Sequence, residues 1–403
     1  MHRVKMEDWI CREEGLSQLT RPILKDLQLN KLNHLLNNMS RQGRIPKDLP
    51  DHLDSLSGLQ SLPFTREQDL RSHPGSYLAC SQAQIHRIIS ENTSGTTGSA
   101  KRVFYSQQDL RHTVNFFASG ISEMLSSGEK CLIGFPFSGP FGLGDLISQA
   151  VRQLGAIPIK ADFGEGYQSV LDILSAEQPE TYIGFPVPLL SLFRLQGSHL
   201  SIQRALLSGD SCPGSVLQSL PIPCFPHYGS RETVLGGAVT CPAHQGMHLR
   251  ENHIIAEIVD AQGHVLPDGQ WGELVVTTIG MEAMPLLRYR TGDLTRILPG
   301  TCPCGGITCR LDSVSRMETG PVSIKKLDEC LFSIPWIIDY RASTQNGTIF
   351  LEIHFLSEGS EQEILESVRA VYPELTLKII LQKASAADRP VYGGKRSILK
   401  REG

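Results

Sequence analysis

The sequence predicts an α/β protein: a large N-terminal domain with mixed sheets over residues 1–315, then a small C-terminal α+β domain over 316–403. Three features carry this. Short apolar runs alternate with helix-like stretches from Ser90 onward, which is the β-α-β signature. The pattern turns strand-rich between Met247 and Leu298. A break near Arg316 to Pro321 precedes a self-contained α+β pattern of about 85 residues, the size of a small domain.

In chain order, residues 1 to about 60 are polar and read as helical, with Ile23, Leu27, Leu32 and Leu35 as packing positions. Val103-Phe104-Tyr105 reads as a strand, followed by a well-capped helix opening Ser106-Gln107-Gln108-Asp109-Leu110. Cys131 to Phe135 and Ala156 to Ile159 read as short buried strands, with a helix over Leu143 to Leu154 between them. His253 to Val259 and Glu273 to Thr278 are the clearest later strands, and the turns Ala261-Gln262-Gly263 and Asp268-Gly269 separate them. Past the break come a helix (Ile324 to Phe332), strands (Ile337 to Arg341; Thr348 to Phe355), a helix (Gln362 to Val371) and a last strand (Leu375 to Leu381). The tail from Ala384 is polar and basic.

The chain has 403 residues, 40% hydrophobic and 20% charged, ample for a large core. A net charge of −4 provides no electrostatic case for nucleic acid or an anionic membrane. The first residues lack the apolar stretch of a secretory signal, and no apolar run is long enough to span a bilayer. A cytoplasmic location is expected, with neither a nucleic-acid nor a membrane partner, and a homodimer is one assembly the chain allows.

The sharpest segment is Ser90-Glu91-Asn92-Thr93-Ser94-Gly95-Thr96-Thr97-Gly98-Ser99-Ala100-Lys101. Gly95 and Gly98 let the backbone turn tightly and bring N–H groups to an anion. The hydroxyls of Thr93, Ser94, Thr96, Thr97 and Ser99 are rotatable donors for phosphate oxygens, and Lys101 adds positive charge. The spacing is not that of a P-loop. The competing reading is a flexible Ser/Gly linker, but linkers are rarely followed at once by a strand and a capped helix.

Thr93 to Gly98 resembles the phosphate-binding loop of the adenylate-forming superfamily, which includes acyl-CoA synthetases and luciferases. The likeness continues in order. Tyr228-Gly229-Ser230-Arg231-Glu232 resembles the Tyr-Gly-x-Ser/Thr-Glu motif, Arg288 to Leu294 resembles Tyr-Arg-Thr-Gly-Asp-Leu, and Gly394-Lys395-Arg396 resembles the C-terminal Gly-Lys motif. Leu62 to Arg71, Met284 to Arg290 and Cys302-Pro303-Cys304-Gly305 resemble the phenylacetate–CoA ligase-like branch.

The resemblance implies ATP-dependent activation of a small carboxylic acid as an acyl-adenylate, with CoA as one acceptor. Two anions must meet in that reaction, so the site needs positive charge and Mg²⁺. By resemblance, Thr93 to Gly98 cradle the β- and γ-phosphates and Glu232 coordinates Mg²⁺. Tyr228 stacks on adenine, while Gly209 and Asp210 present backbone to the adenine edge. Asp293 accepts from the ribose hydroxyls, Arg316 is a second ribose contact, and Lys395 bridges the substrate carboxylate and the α-phosphate. Arg231 stands where the family has Ser or Thr. The hinge, Arg316 to Val322, is shorter than in phenylacetate–CoA ligases and lacks their paired aspartates. A carrier-protein thiol or an amine is therefore an alternative acceptor, and a degenerate nucleotide-binding regulator is the alternative of another class. The expected site lies at the interface of the two domains.

Of ten cysteines, Cys241, Cys302, Cys304 and Cys309 sit in Gly/Pro-rich surroundings. Cys241, His248, Cys302 and Cys304 offer an S₃N set suited to tetrahedral structural Zn²⁺, with Cys309 and His244 in reserve. The alternative is a group of buried, unliganded thiols. The branch commonly carries Cys and His at matching places.

Overall fold

The computed structural model describes residues 4–41, 49–91, 100–318, 320–357 and 359–401. Helices α1 (Lys5–Glu13), α2 (Arg21–Arg41) and α3 (Glu67–Ser72) open the chain. Strands β1 (Ile85–Glu91) and β2 (Lys101–Ser106) precede α4 (Gln107–Ile121). Then come β3 (Lys130–Gly134), α5 (Leu143–Gln153), β4 (Ile157–Lys160), α6 (Tyr167–Glu177), β5 (Thr181–Gly184), α7 (Pro186–Gln196), β6 (Arg204–Leu207), α8 (Gly214–Ser219) and β7 (Cys224–Tyr228). A strand-rich stretch follows: β8 (Ala238–Thr240), β9 (Met247–Leu249), β10 (Ile254–Val259), β11 (Gly272–Thr278), β12 (Tyr289–Thr295), β13 (Arg310–Leu311) and β14 (Ser315–Arg316). The C-terminal part holds α9 (Ile324–Leu331), β15 (Ile337–Gln345), β16 (Thr348–Phe355), α10 (Glu361–Val371), β17 (Thr376–Lys383) and β18 (Leu399–Lys400).

Packing groups the chain into two compact units of interleaved segments. One comprises Met1–Glu123, Gly139–Ala150 and His227–Met317; the other comprises Met124–Ser138, Val151–Pro226 and Glu318–Gly403. The C-terminal segment that the sequence sets apart thus shares a unit, from Glu318 onward, with residues 151–226.

In the first unit, β1 and β2 pair antiparallel, from Ile85 opposite Ser106 to Glu91 opposite Lys101. An antiparallel sheet runs in the order β10-β11-β12-β14. Helix α2 buries Leu32, Leu35, Leu36 and Met39 against Ile255 and Leu287. The i, i+3, i+4, i+7 spacing puts them on one stripe, and burying each large side chain contributes roughly 1.5–3 kcal/mol. Ser106 caps α4: its hydroxyl accepts from Asp109 N–H while the Asp109 carboxylate accepts from Ser106 N–H.

In the second unit, β4, β3, β5, β6 and the Cys224–Pro226 end of β7 are parallel neighbours, crossed over by helices. The other sheet has the order β17-β16-β15-β18. One apolar core holds Leu189, Leu190 and Phe193 of α7 together with Leu327 and Leu331 of α9 and Ile337 of β15.

Candidate active site and metal centre

Thr93, Ser94, Gly95, Thr96, Thr97 and Gly98 lie outside the described residues. Their flanks are the paired ends of β1 and β2, and Lys101 is the first residue of the returning strand. Lys101 points inward: it is buried, and its Nζ lies 2.8 Å from Glu232 Oε1.

Glu232 sits in a short 3-10 turn, Arg231–Thr233, which follows β7 through Gly229 and Ser230. Its Oε1 also accepts from the Tyr289 hydroxyl at 3.1 Å, and the Tyr105 hydroxyl donates to Arg231 O at 2.6 Å. Burial alone would raise the Glu232 pKa. The Lys101 charge and hydrogen bond, joined by the Glu232 backbone N–H and Ser230, together outweigh it and hold the carboxyl below its ordinary range. Glu232 is thus a buried, ionised oxygen donor beside a cation, which fits a hard metal ion and an anionic ligand.

Asp293, Tyr228 and Arg316 meet in a second cluster of the same unit. The Tyr228 hydroxyl donates to Asp293 Oδ2 at 2.9 Å, and Arg316 Nη1 lies 3.3 Å from Asp293 Oδ1. The register of β12 and β14 makes this pairing, because Asp293 stands directly opposite Arg316. Arg316 also donates to Thr291 O at 2.6 Å. Burial, then the Asp293 charge, pushes the Tyr228 hydroxyl well above its usual pKa, so it stays a donor. Each Asp293 oxygen retains lone-pair capacity beyond these contacts, as a diol ligand requires.

The second unit brings Gly209, Asp210 and the C-terminal motif together. Gly209 and Asp210 follow β6 at the carboxyl ends of the parallel strands, where ligand sites form in α/β sheets. Phe135 and Phe185 directly follow the paired strands β3 and β5, with ring centroids 4.9 Å apart and edge-to-face. A Cβ on Gly209 would come within 2.6 Å of the Phe185 ring, so only glycine fits. Asp210 Oδ2 accepts the Arg396 N–H at 2.9 Å. The Arg396 side chain is buried between Asp328 (3.1 Å) and Asp339 (2.6 Å), whereas Lys395 is exposed. Neighbouring residues thus face opposite ways.

Cys241, His248, Cys302 and Cys304 converge, all four ligand atoms lying within 4.8 Å of one another. Cys241 Sγ is 3.6 Å from Cys302 Sγ, and Cys304 Sγ is 3.4 Å from His248 Nε2. A tetrahedron with metal–sulfur bonds of about 2.3 Å has edges of roughly 3.8 Å, so the donor set fits zinc. Burial pushes the His248 imidazole down to about 4, which leaves it neutral. Cys309 is not in the group; its Sγ lies 3.3 Å from Arg21 Nη2.

Sequence reasoning missed Tyr289, Tyr105, and the Asp328–Arg396–Asp339 cluster. Tyr289 and Arg396 lie inside quoted motifs, but nothing in a motif says which of its members faces inward.

A profile of the AMP-binding enzyme family matches residues 92–283. The phenylacetate–coenzyme A ligase of Pseudomonas putida is 32% identical over 309 residues, 70% of each chain. The phenylacetate–coenzyme A ligase of Escherichia coli is 31% identical over 268 residues, and the match spans 62% of this chain and 60% of that relative. Among solved structures, a 2-hydroxyisobutyryl-CoA ligase in the postadenylation state superposes with a TM-score of 0.77, covering 94% of this chain and 89% of that one. At 18% identity, that likeness speaks to the fold. The chain therefore belongs to the adenylate-forming superfamily, in its phenylacetate–CoA ligase-like branch, and is an AMP-forming acid ligase.

Proposed function

We propose that this enzyme activates a small, apolar carboxylic acid with ATP and passes the acyl group to the thiol of CoA. A carboxylate oxygen attacks the α-phosphorus, the bond to the bridging oxygen of the β-phosphate breaks, and pyrophosphate leaves. The CoA sulfur, having lost its proton, then attacks the acyl carbon and AMP departs. The buried Lys101–Glu232 pair carries this reading: Lys101 follows the phosphate motif by three positions in sequence, and it pairs a cation with a hard oxygen donor.

In this reading, residues 1–315 form the ATP-binding part and 316–403 the small C-terminal part. Thr93 to Gly98 and Lys101 hold the phosphates, with Ser230 and Arg231 next to them. Tyr228, Gly229, Gly209 and Asp210 receive adenine, and Asp293 and Arg316 the ribose. Glu232 would hold Mg²⁺, which supplies charge neutralisation at the phosphates when bound. Lys395 bridges the substrate carboxylate and the α-phosphate. Phe135 and Phe185, at the strand ends, favour an apolar or aromatic acid. Cys241, His248, Cys302 and Cys304 would hold a structural zinc that takes no part in the chemistry. The enzyme works in the cytoplasm; no helix among the described residues is long and apolar enough to cross a membrane.

CoA is preferred over a carrier-protein thiol or an amine because the relatives are named CoA ligases. Mass spectrometry of reactions with ATP, Mg²⁺, CoA and a panel of aryl and aliphatic acids tests it. Acyl-CoA and AMP are expected. Acyl-adenylate accumulating with no thioester would return the acceptor to the alternatives.

A further inference from the structure

We infer that Glu7, on the first helix of the chain, is a positioning residue for the Cys/His metal centre and acts on it through Thr308 and His248. The inference rests on the zinc reading above.

Glu7 is buried, and its Oε1 accepts from Ile307 N (2.6 Å), Thr308 N (2.8 Å) and the Thr308 hydroxyl (3.0 Å). Glu7 Oε1 already receives two backbone N–H groups, so it acts as an acceptor and the Thr308 hydroxyl spends its single proton on it. Thr308 Oγ1 lies 2.9 Å from His248 Nδ1. With its proton committed, that oxygen must accept, and His248 must carry its proton on Nδ1. The lone pair is left on Nε2, the nitrogen that faces Cys304 Sγ. Glu7 thereby selects the tautomer able to bind a metal and fixes the ring plane, the role carboxylates play behind metal-bound histidines.

The surroundings are built to the same end. A Cβ on Gly306 would sit 2.9 Å from His248 Cε1, 3.0 Å from Glu7 Oε1 and 3.3 Å from Cys304 Sγ, so no side chain fits among the three. The Gly306 N–H donates to Cys304 Sγ at 3.3 Å, a contact that favours a thiolate. Glu7 is 300 residues from Ile307 in sequence. Helix α1 is therefore joined to the metal loop by a carboxylate that no motif marks.

The test is zinc affinity of the full-length protein, by chelator competition, in wild type, Thr308→Val, Thr308→Ser and Glu7→Gln. Thr308→Val removes the relaying oxygen at constant shape and should weaken zinc about 10–100-fold. Thr308→Ser should stay near wild type. Glu7→Gln, which keeps an acceptor but loses the charge, should weaken it in the same direction by less. Nitrogen-15 NMR of the zinc-loaded wild type, which needs no variant to fold, should show His248 protonated at Nδ1 and metal-bound through Nε2. Wild-type protein that binds no zinc would sink the zinc reading, and the relay with it. Zinc bound through Nδ1, or unchanged affinity in Thr308→Val with only a lower melting temperature, would overturn the relay alone. Weakening in Thr308→Val without any in Glu7→Gln would remove Glu7 from it.

Discussion

Lys101 and Glu232 form an ion pair with Nζ 2.8 Å from Oε1, the two side chains being 9% and 6% exposed. They lie 131 positions apart, in the strand after the phosphate motif and in the turn after β7. Two charges so little hydrated are costly unless they stay together. Lys101→Met should therefore destabilise the protein by about 3–5 kcal/mol, and Lys101→Met with Glu232→Gln should recover much of that loss. Chemical denaturation of the single and double variants measures both.

The same pair sets a pH dependence. Glu232 in the folded protein titrates below its unfolded value, because the Lys101 charge and hydrogen bond, with those from Ser230 and its own backbone N–H, together outweigh burial. Its contribution is fully present above the unfolded carboxylate pKa and is lost as pH falls through the lowered folded one. In Lys101→Met the cation is gone while the hydrogen bonds from Ser230 and the Glu232 backbone N–H still oppose burial, so the Glu232 pKa should rise and the stability lost on acidification should shrink. Denaturation midpoints on descending pH should diverge between the two proteins. Parallel curves would mean that Lys101 does not control Glu232.

On the proposed reading, Asp293 acts in ATP binding rather than in bond breaking, since the ribose hydroxyls change little in the reaction. Asp293→Ala removes a charged acceptor worth about 1.5–3 kcal/mol. It should raise KM for ATP about 10–100-fold with kcat little changed. Arg316→Ala should act in the same direction by less, because Tyr228 still holds the other carboxylate oxygen. Steady-state kinetics at varied ATP separates the outcomes.

Lys395 and Arg396 are neighbours with opposite expected phenotypes. Lys395→Ala should leave the fold and ATP binding intact and lower kcat roughly 10²–10³-fold, the loss seen on removing one transition-state electrostatic donor. Arg396→Met instead leaves Asp328 and Asp339 buried without their cation, at about 3–5 kcal/mol of stability. Thermal melts beside single-turnover rates for both variants check the contrast.

Much of this was legible in the sequence. The strands around Cys131, Ile157, Ile254 and Glu273, and the helices from Ser106, Leu143 and Ile324, stand within a residue or two of their expected places. Apolar periodicity and capping residues are local signals. The S₃N group was legible because cysteines in Gly/Pro-rich loops have few other reasons to lie near a histidine. What was not legible is long-range. Glu7 looks like any acidic residue in a first helical turn, and Arg396 like part of a basic tail, until folding buries them. The interleaving of segments 124–138 and 151–226 with 318–403 depends on which faces of α7, α8 and α9 meet, and local pattern does not encode that.

Metal removal should separate structure from chemistry. Stripping zinc with a chelator, or exchanging Cys302 for Ser, should lower the melting temperature while turnover per folded molecule changes little. Metal analysis of protein purified without chelator should find one zinc per chain. Loss of turnover without loss of stability would place the metal in the reaction instead.

The central claim, acid activation as an adenylate, is tested most directly by acid-dependent exchange of labelled pyrophosphate into ATP, with Mg²⁺ present and CoA absent. Exchange is expected with at least one small apolar or aromatic acid, and should be abolished in Lys395→Ala. ATP binding with no exchange for any acid in a panel of aryl and aliphatic carboxylates would contradict it, leaving a nucleotide-binding protein without the ligase reaction.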